Sequence, residues 1–359
     1  MEVALHELGE IFTGNTPSKK NKNYWNSEDT VFIKPNDLNN NNLLLNDKNN
    51  EYISKEALAQ ARIVGRNSIL VTCIGTIGKI AITTDAKTAF NQQINAIVPN
   101  KNVYTKYLAY ALMHYKPRLA ALANAPVVPI INKKQFSNFK INLNLDKEIQ
   151  YTVIRQLDLV GEIIKNKNRQ LSKLDELIKA RFVEMFGDPV NNSKDQPVDK
   201  FINIVKLQRG FDLPVKKRDS TGKIPVFGSN GIVGYHTEAK AKNGIITGRS
   251  GTIGKVYRKS GEYWPLNTSL FSVDTHGNNI IFLQVLMQLF HLERFYNGAG
   301  VPTLNRNDVH RQKIIKISLD KQNEFANFVQ QVDKSKVAVQ KSLDETQRLF
   351  DSLMQEYFG

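Results

Sequence analysis

A chain of 359 residues with 49 Lys+Arg against 34 Asp+Glu carries a formal net charge of +15 and an isoelectric point near 9.6, which favours a polyanionic partner, nucleic acid first. The length allows two or three domains, each with a core of its own. The single cysteine, Cys73, excludes an intramolecular disulfide framework and a cysteine-rich zinc site, and no run approaches the roughly 18 apolar residues of a membrane span.

The opening MEVALHELGE places Glu2, His6 and Glu7 where a secretory signal needs an apolar core, so a cytoplasmic location is expected. Next comes TGNTPSKKNKNYW (Thr13 to Trp25), a loop with Lys19, Lys20 and Lys22 beside Tyr24 and Trp25, followed by VFIKPNDL (Val31 to Leu38). ILVTCIGTIGKIAI (Ile69 to Ile82) then reads as strand, glycine turn, strand, with Thr76 and Lys79 in the turn. A phosphate-binding Walker loop needs Gly five residues before the Gly-Lys pair and Ser or Thr after it; Cys73 and Ile80 occupy those places. FNQQINAIVP (Phe90 to Pro99) brings Asn91, Gln92 and Gln93, and VVPIIN (Val127 to Asn132) precedes Lys133 and Lys134. A segment from Asp146 to Phe186 follows, almost free of Gly and Pro apart from Gly161. Its apolar residues Leu157, Val160, Ile164, Leu171, Leu174 and Ile178 step by threes and fours, the mark of a coiled-coil seam.

The same order then recurs. PVKKRDS (Pro214 to Ser220) supplies Lys216, Lys217 and Arg218, and GKIPVFGSNGIVGYHTE (Gly222 to Glu238) contains Ser229 and Asn230. VFGSNG has the look of a glycine-rich cofactor loop, but it leads into IVGYH and not into a helix, so no cofactor is expected. IITGRSGTIGKVYR (Ile245 to Arg258) repeats Gly-Thr-Ile-Gly-Lys with Arg249, Ser250, Thr252 and Lys255, and again lacks the Walker residues. LNTSLFSVD (Leu266 to Asp274) matches FNQQINAIVP with Asn91 expected on Asn267, beside Thr268 and Ser269. GVPTLN (Gly300 to Asn305) matches VVPIIN and precedes Arg306; from Asp320 a second long helix carries Val329, Val332, Val339, Leu343, Phe350 and Leu353 at seam spacing and also ends in Phe-Gly. A helix of about 40 residues is roughly 60 Å long at about 1.5 Å per residue, a spacer more than a core helix.

The layout is a tandem duplication: domain 1–145, helix 146–187, domain 188–319, helix 320–359. It resembles the specificity subunit of a type I restriction-modification system over essentially the whole chain, through TGNTPSKKNKNYW, VFIKPNDL, the paired GTIGK turns, GKIPVFGSNGIVGYHTE and the two Phe-Gly-ending helices. The resemblance implies a mixed α/β (α+β) protein. Two target-recognition domains would be separated by two long antiparallel coiled-coil helices in a pseudo-two-fold internal repeat, each domain reading one half of a bipartite double-stranded DNA site. It implies no catalytic activity in this chain; the six histidines are dispersed without metal-ligand spacing, so no metal is expected either. The partners it implies are two modification (methyltransferase) subunits and then restriction (motor-nuclease) subunits, the assembled complex having adenine-DNA methyltransferase and endonuclease activity.

The residues themselves agree with a noncatalytic reader. Amino methyltransferases acting on DNA carry an Asn/Asp-Pro-Pro-aromatic tetrapeptide, and this sequence has no Pro-Pro pair. The basic loop residues suit phosphates, while Asn, Gln, Thr and Arg in the loops after each turn suit base edges; equally, Asn and Ser there can be turn residues bonded to their own backbone. A self-sufficient nuclease or modification enzyme with an unrecognised active site is the alternative, and a nonspecific nucleic-acid-binding or purely structural coiled-coil protein is a third reading.

Overall fold

The structure, a computed structural model, describes residues 1–25, 27–39, 43–45, 51–123, 128–219, 221–297 and 300–359. Val127 and Ser220, the end residues of two quoted motifs, lie outside them. The chain divides into two compact units: Met1–Asn166 with Leu343–Gly359, and Lys167–Ser342. Each unit therefore combines one globular domain with the start of one long helix and the end of the other.

In the first unit, strand Glu2–Ala4 pairs antiparallel with Lys140–Asn142 and closes the domain. One four-stranded sheet runs in the order Gly9–Thr13, Ile94–Pro99, Ile69–Thr72, Ile80–Ile82, and a second in the order Glu51–Ile53, Thr30–Ile33, Thr88–Phe90, Ile63–Val64. Alternation of Ile, Leu and Val buries both faces of Ile69–Thr72. The helix Thr105–His114 covers the first sheet through Tyr107, Leu108 and Leu112.

The second unit repeats this plan with fewer, longer strands in its main sheet. Val198–Lys200 pairs with Lys313–Ile315, and a single six-stranded sheet runs Lys206–Arg209, Ser269–Asp274, Ala241–Gly248, Val256–Pro265, Ile224–Gly228, Gly231–His236. Ala241–Gly248 takes the places of both Ile63–Val64 and Ile69–Thr72, and Val256–Pro265 those of both Ile80–Ile82 and Thr88–Phe90. The reason is local. Asn67 and Asn243 occupy the same position, both at positive φ (61° and 49°), but the Asn243 side chain accepts from the Gly261 amide at 2.6 Å. The strand there bends through a register shift between Lys242 and Gly244 instead of breaking.

The long helices are Lys147–Phe186 and Leu319–Phe358, each of 40 residues. Equal lengths align Phe186 with Phe358 and Asp146 with Ser318, so the second helix begins one residue before the Asp320 expected from sequence. Asp146 caps the first by accepting from the Glu148 and Ile149 amides at 2.8 and 3.3 Å. In both units the helix segments run antiparallel: Gln156 meets Tyr357 in the first, and Arg181 meets Glu324, Asp175 meets Lys336 and Lys167 meets Ser342 in the second.

The apolar seam positions differ in burial. Leu157, Val160, Ile178, Val329, Val332 and Leu343 are buried, whereas Ile164, Leu171, Leu174, Val339, Phe350 and Leu353 are half-buried. Polar contacts stand between the half-buried positions, Lys167 Nζ donating to Ser342 Oγ at 2.8 Å and Lys336 to Asp175 at 2.5 Å. At the ends the helices enter the domain cores: Phe358 and Met354 lie with Tyr107 and Leu157 in the first, Phe182 and Phe186 with Phe282 and Phe325 in the second.

A buried glutamine ties each helix start to its domain. Gln150 Oε1 accepts from the Tyr104 amide (2.8 Å) and its Nε2 donates to the Asn102 and Asn144 carbonyls. Gln322 Oε1 accepts from the Asn279 amide (2.9 Å), and its Nε2 donates to Asn278 Oδ1 and to the Ile317 carbonyl. In both side chains the oxygen and the nitrogen are hydrogen-bonded, which is what permits glutamine in a core.

Candidate nucleic-acid interface

The repeated turn is built by its glycines. Gly75 and Gly78 in the first unit, Gly251 and Gly254 in the second, all sit at φ between +75° and +90°, a region that side chains with a Cβ disfavour. The turn then binds the other repeated segment through its backbone. Gly75 N–H donates to Pro129 O (2.9 Å) and Ile131 N–H to Cys73 O (2.9 Å); Gly251 N–H donates to Pro302 O (3.1 Å) and Leu304 N–H to Arg249 O (2.7 Å). GTIGK and the Pro-containing segment recur together because each completes the hydrogen bonds of the other.

The loop after the parallel strand joins the same cluster, one position away from the sequence match. Asn91 N–H donates to Ile33 O, as Leu266 N–H does to Phe227 O. Cys73 N–H donates to Gln93 O, as Arg249 N–H does to Thr268 O. Asn91 therefore corresponds to Leu266 and Gln92 to Asn267, correcting the expected overlay of Asn91 on Asn267. Similar letters in a polar loop misled the alignment; backbone pairing decides it.

In the first unit this cluster holds Thr76, exposed at the turn tip, and half-buried Lys79, whose Nζ donates to Pro35 O at 3.3 Å. Half-buried Asn91 and Gln93 and exposed Gln92 follow. Asn91 Oδ1 accepts from the Gln93 amide (2.8 Å), the self-bonding turn that residues of this type favour. Lys34 reaches Glu51, which also lies 3.6 Å from Lys19. Burial alone would raise the Glu51 carboxyl, but the hydrogen bond and charge of Lys34, with Lys19, hold it below the usual carboxylate range. Lys19 also stands 5.1 Å over the Trp25 ring, which packs edge-on against Phe32. Lys20 and Lys22 are exposed and Tyr24 half-buried, and Lys19, Lys22, Trp25, Glu51 and Tyr52 line an open cleft.

In the second unit Lys255 Nζ donates to Asn230 Oδ1 (2.7 Å), doing for the Ser229–Asn230 turn what Lys79 does at Pro35. Arg249 Nη1 donates to Asn267 O (3.4 Å), and Ser250 bridges to Thr303. Ser229, Thr252, Asn267 and Thr268 are half-buried in the same cluster. Ser269 is not a surface residue: it is 0% exposed and its hydroxyl donates to Leu266 O at 2.8 Å. It stands where Ile94 does in the first unit, inside the sheet edge, and drops out of the candidate contacts.

The remaining basic residues lie on neighbouring loops. Lys216 and Lys217 are exposed in the short turn Val215–Lys217, and Arg218 is half-buried with Nε donating to Leu213 O at 3.4 Å. Exposed Arg306 opens the helix Arg306–His310, capped by Asn305. Lys133 and Lys134 open the helix Lys133–Ser137, capped by Asn132. Lys133 lines a separate open cleft with His6, Gly9, Glu10 and Val98, away from the turn cluster.

Sequence reading missed two residues, Thr16 and Asp212. Gly14 and Gly210 precede them in matched positions, donating to Ile94 O (3.0 Å) and Ser269 O (3.1 Å). A Cβ on Gly14 would lie 2.1 Å from Asn91 O, and one on Gly210 2.2 Å from Leu266 O. The shared glycine two residues upstream was the available signal. Among the described residues no three His, Cys, Asp or Glu side chains group to hold a metal ion, and no helix is long and apolar enough to cross a membrane.

Residues 1–176 and 199–346 match the model of the type I restriction modification DNA specificity domain. The chain is 22% identical over 357 residues to the EcoprrI specificity subunit of Escherichia coli, covering 93% of this chain and 88% of that one. It is 29% identical over 188 residues to the HindI specificity subunit of Haemophilus influenzae, covering 50% of this chain but only 40% of that protein's length. In fold it resembles the type I restriction-modification S subunit of M. genitalium, with a TM-score of 0.59 at 16% identity over 100% of this chain and 96% of that one. A protein from a structural study of type I R-M complex assembly matches at TM-score 0.59 and 13% identity, over 100% and 97% of the two chains. With two copies of one sheet topology, each carrying the GTIGK turn and a 40-residue helix, and a family match over most of its length, the chain belongs to the type I restriction-modification DNA specificity domain family.

Proposed function

We propose that the protein is the sequence-reading subunit of a type I restriction-modification complex acting in the cytoplasm. Residues 1–145 and 188–319 act as target-recognition domains, each reading one half of a bipartite site in double-stranded DNA, and the helices 146–187 and 320–359 set the gap and dock two modification subunits. Restriction subunits join that assembly. The chain itself performs no methyl transfer or cleavage.

The observation that carries this reading is the loop cluster built twice on one topology with different side chains: Thr16, Lys79, Gln92 and Gln93 in the first unit, Asp212, Lys255, Asn267 and Thr268 in the second. A shared frame with divergent tips suits two different half-sites. Lysines and arginines of the flanking loops supply affinity at the phosphates.

Selection from random DNA by the chain together with its modification subunits tests the reading. A bipartite motif with an unread gap is expected, with affinity falling against salt at a logarithmic slope of about −0.9 per phosphate neutralised. Cleavage with Mg²⁺, or methylation with S-adenosylmethionine, by the purified chain alone would overturn it in favour of a self-sufficient enzyme.

A further inference from the structure

The two units place different side-chain pairs at one and the same position of the loop cluster. In the first, Asn91 Nδ2 donates to Thr16 Oγ1 (3.2 Å), and the Thr16 hydroxyl donates to Gln92 Oε1. In the second, Asn267 Nδ2 donates to the Asp212 carboxylate. Gly14 and Gly210 fix the equivalence of Thr16 with Asp212, and the loop hydrogen bonds fix that of Gln92 with Asn267. Gln92 and Asp212 are exposed, Thr16 and Asn267 half-buried.

Each pair orients its amide. An ionised carboxylate only accepts, so the atom of Asn267 facing Asp212 is its nitrogen, and Asn267 Oδ1 and the second Asp212 oxygen remain to accept. The hydroxyl of Thr16, already accepting from Asn91, gives its proton to Gln92 Oε1, which leaves the Gln92 amide nitrogen to donate. One position thus presents chiefly a donor, Gln92 Nε2, in the first unit and chiefly acceptors, Asn267 Oδ1 and the Asp212 carboxylate, in the second. In a major groove, donors meet guanine N7 and O6 or thymine O4, and acceptors meet the amino groups of adenine or cytosine.

The geometry points to Thr16–Gln92 and Asp212–Asn267 as the specificity-determining pairs of the two half-sites, the first reading an acceptor-bearing base edge and the second an exocyclic amino group. This rests on the recognition reading above. A carboxylate beside DNA raises the energy of every complex in which no amino group meets it, so Asp212 acts chiefly by rejecting wrong sequences.

The test is selection of random DNA by the full chain with its modification subunits. In the exchange D212N/N267D the hydrogen bond and side-chain volumes persist, while the negative charge moves from position 212 to position 267 and the spare amide N–H moves the other way. Base preference should change at one or two positions of one half-site, with about tenfold or more lost discrimination against the original base and the other half-site unaltered. Thr16→Ala with Gln92→Ala should do the same to the opposite half-site. Asp212→Ala should bind nonspecific DNA more tightly at low salt while its motif flattens, an effect that a purely structural role would not produce. Unchanged base preference in an exchange variant that still binds the bipartite site overturns the pair assignment alone, as does equal damage to both half-sites. A wild-type chain that selects no bipartite motif overturns the recognition reading and this inference with it.

Discussion

Phe358 packs against Tyr107 with ring centroids 5.2 Å apart, and its carbonyl accepts from the Tyr115 hydroxyl at 2.5 Å, so the last turn of one long helix completes the core of the first unit. Phe186 does the same in the second, 5.4 Å from Phe282 and 5.7 Å from Phe325.

Truncating either ring should therefore unfold one domain selectively. Phe358→Ala should cost about 3–5 kcal/mol and speed hydrogen exchange in the helix Thr105–His114, leaving Ile280–Leu289 protected. Phe186→Ala should reverse the pattern. Equal deprotection of both helices would refute the assignment of each ring to one core.

Glycine substitutions should separate conformational from steric cost. At Gly75 a Cβ meets nothing within 4 Å, so Gly75→Ala should lose about 1–2 kcal/mol from left-handed backbone strain alone. At Gly14 the added Cβ would sit 2.1 Å from Asn91 O, so Gly14→Ala must displace a strand and cost clearly more. Denaturant unfolding of the two variants measures the difference, and equal losses would mean the sheet yields freely at Gly14.

Gln150→Ala should leave the Tyr104 amide and the Asn102 and Asn144 carbonyls without their buried partner, at about 1–3 kcal/mol. The midpoint of urea unfolding should fall accordingly; a variant as stable as the parent would show that water replaces the side chain.

His310 is buried, and its Nε2 accepts from the Leu207 amide at 2.9 Å. Burial first, then the charges of Arg306 and Lys206, hold it below the usual imidazole range. The folded state prefers the neutral ring, so the unfolded chain takes up the proton first as pH falls. Stability of the second unit is full above the unfolded value of about 6.5, falls with acidification below it, and levels off beneath the lowered folded value. His310→Gln should flatten this dependence in melts between pH 7 and pH 5, and an unchanged slope would assign it elsewhere.

The Cys73 thiol is pushed up to about 12 by burial, which outweighs the hydrogen bonds from Asn95. A thiol-specific reagent should label it only as the first unit unfolds. Rapid labelling of the native chain would show that the strand end opens locally.

Much of this architecture is written locally. In both places Gly-Thr-Ile-Gly forms the same left-handed turn, three-four spacing from Leu157 to Ile178 favours a helix with one apolar face, and an excess of lysine and arginine favours an anionic partner. These follow from backbone geometry and charge within a few residues, so the duplication, the long helices and the family resemblance are legible in the sequence. Side-chain partnership is different, because it joins residues tens of positions apart. Only the tertiary structure pairs Thr16 with Gln92 and Asp212 with Asn267, shifts Asn91 onto Leu266, buries Ser269 against its own loop, and seats Phe186 and Phe358 in cores whose other residues lie far along the chain. Polar loop letters carry no periodicity to mark which face they turn to solvent, and that face is settled by the hydrogen bonds that the folded sheets leave open to them.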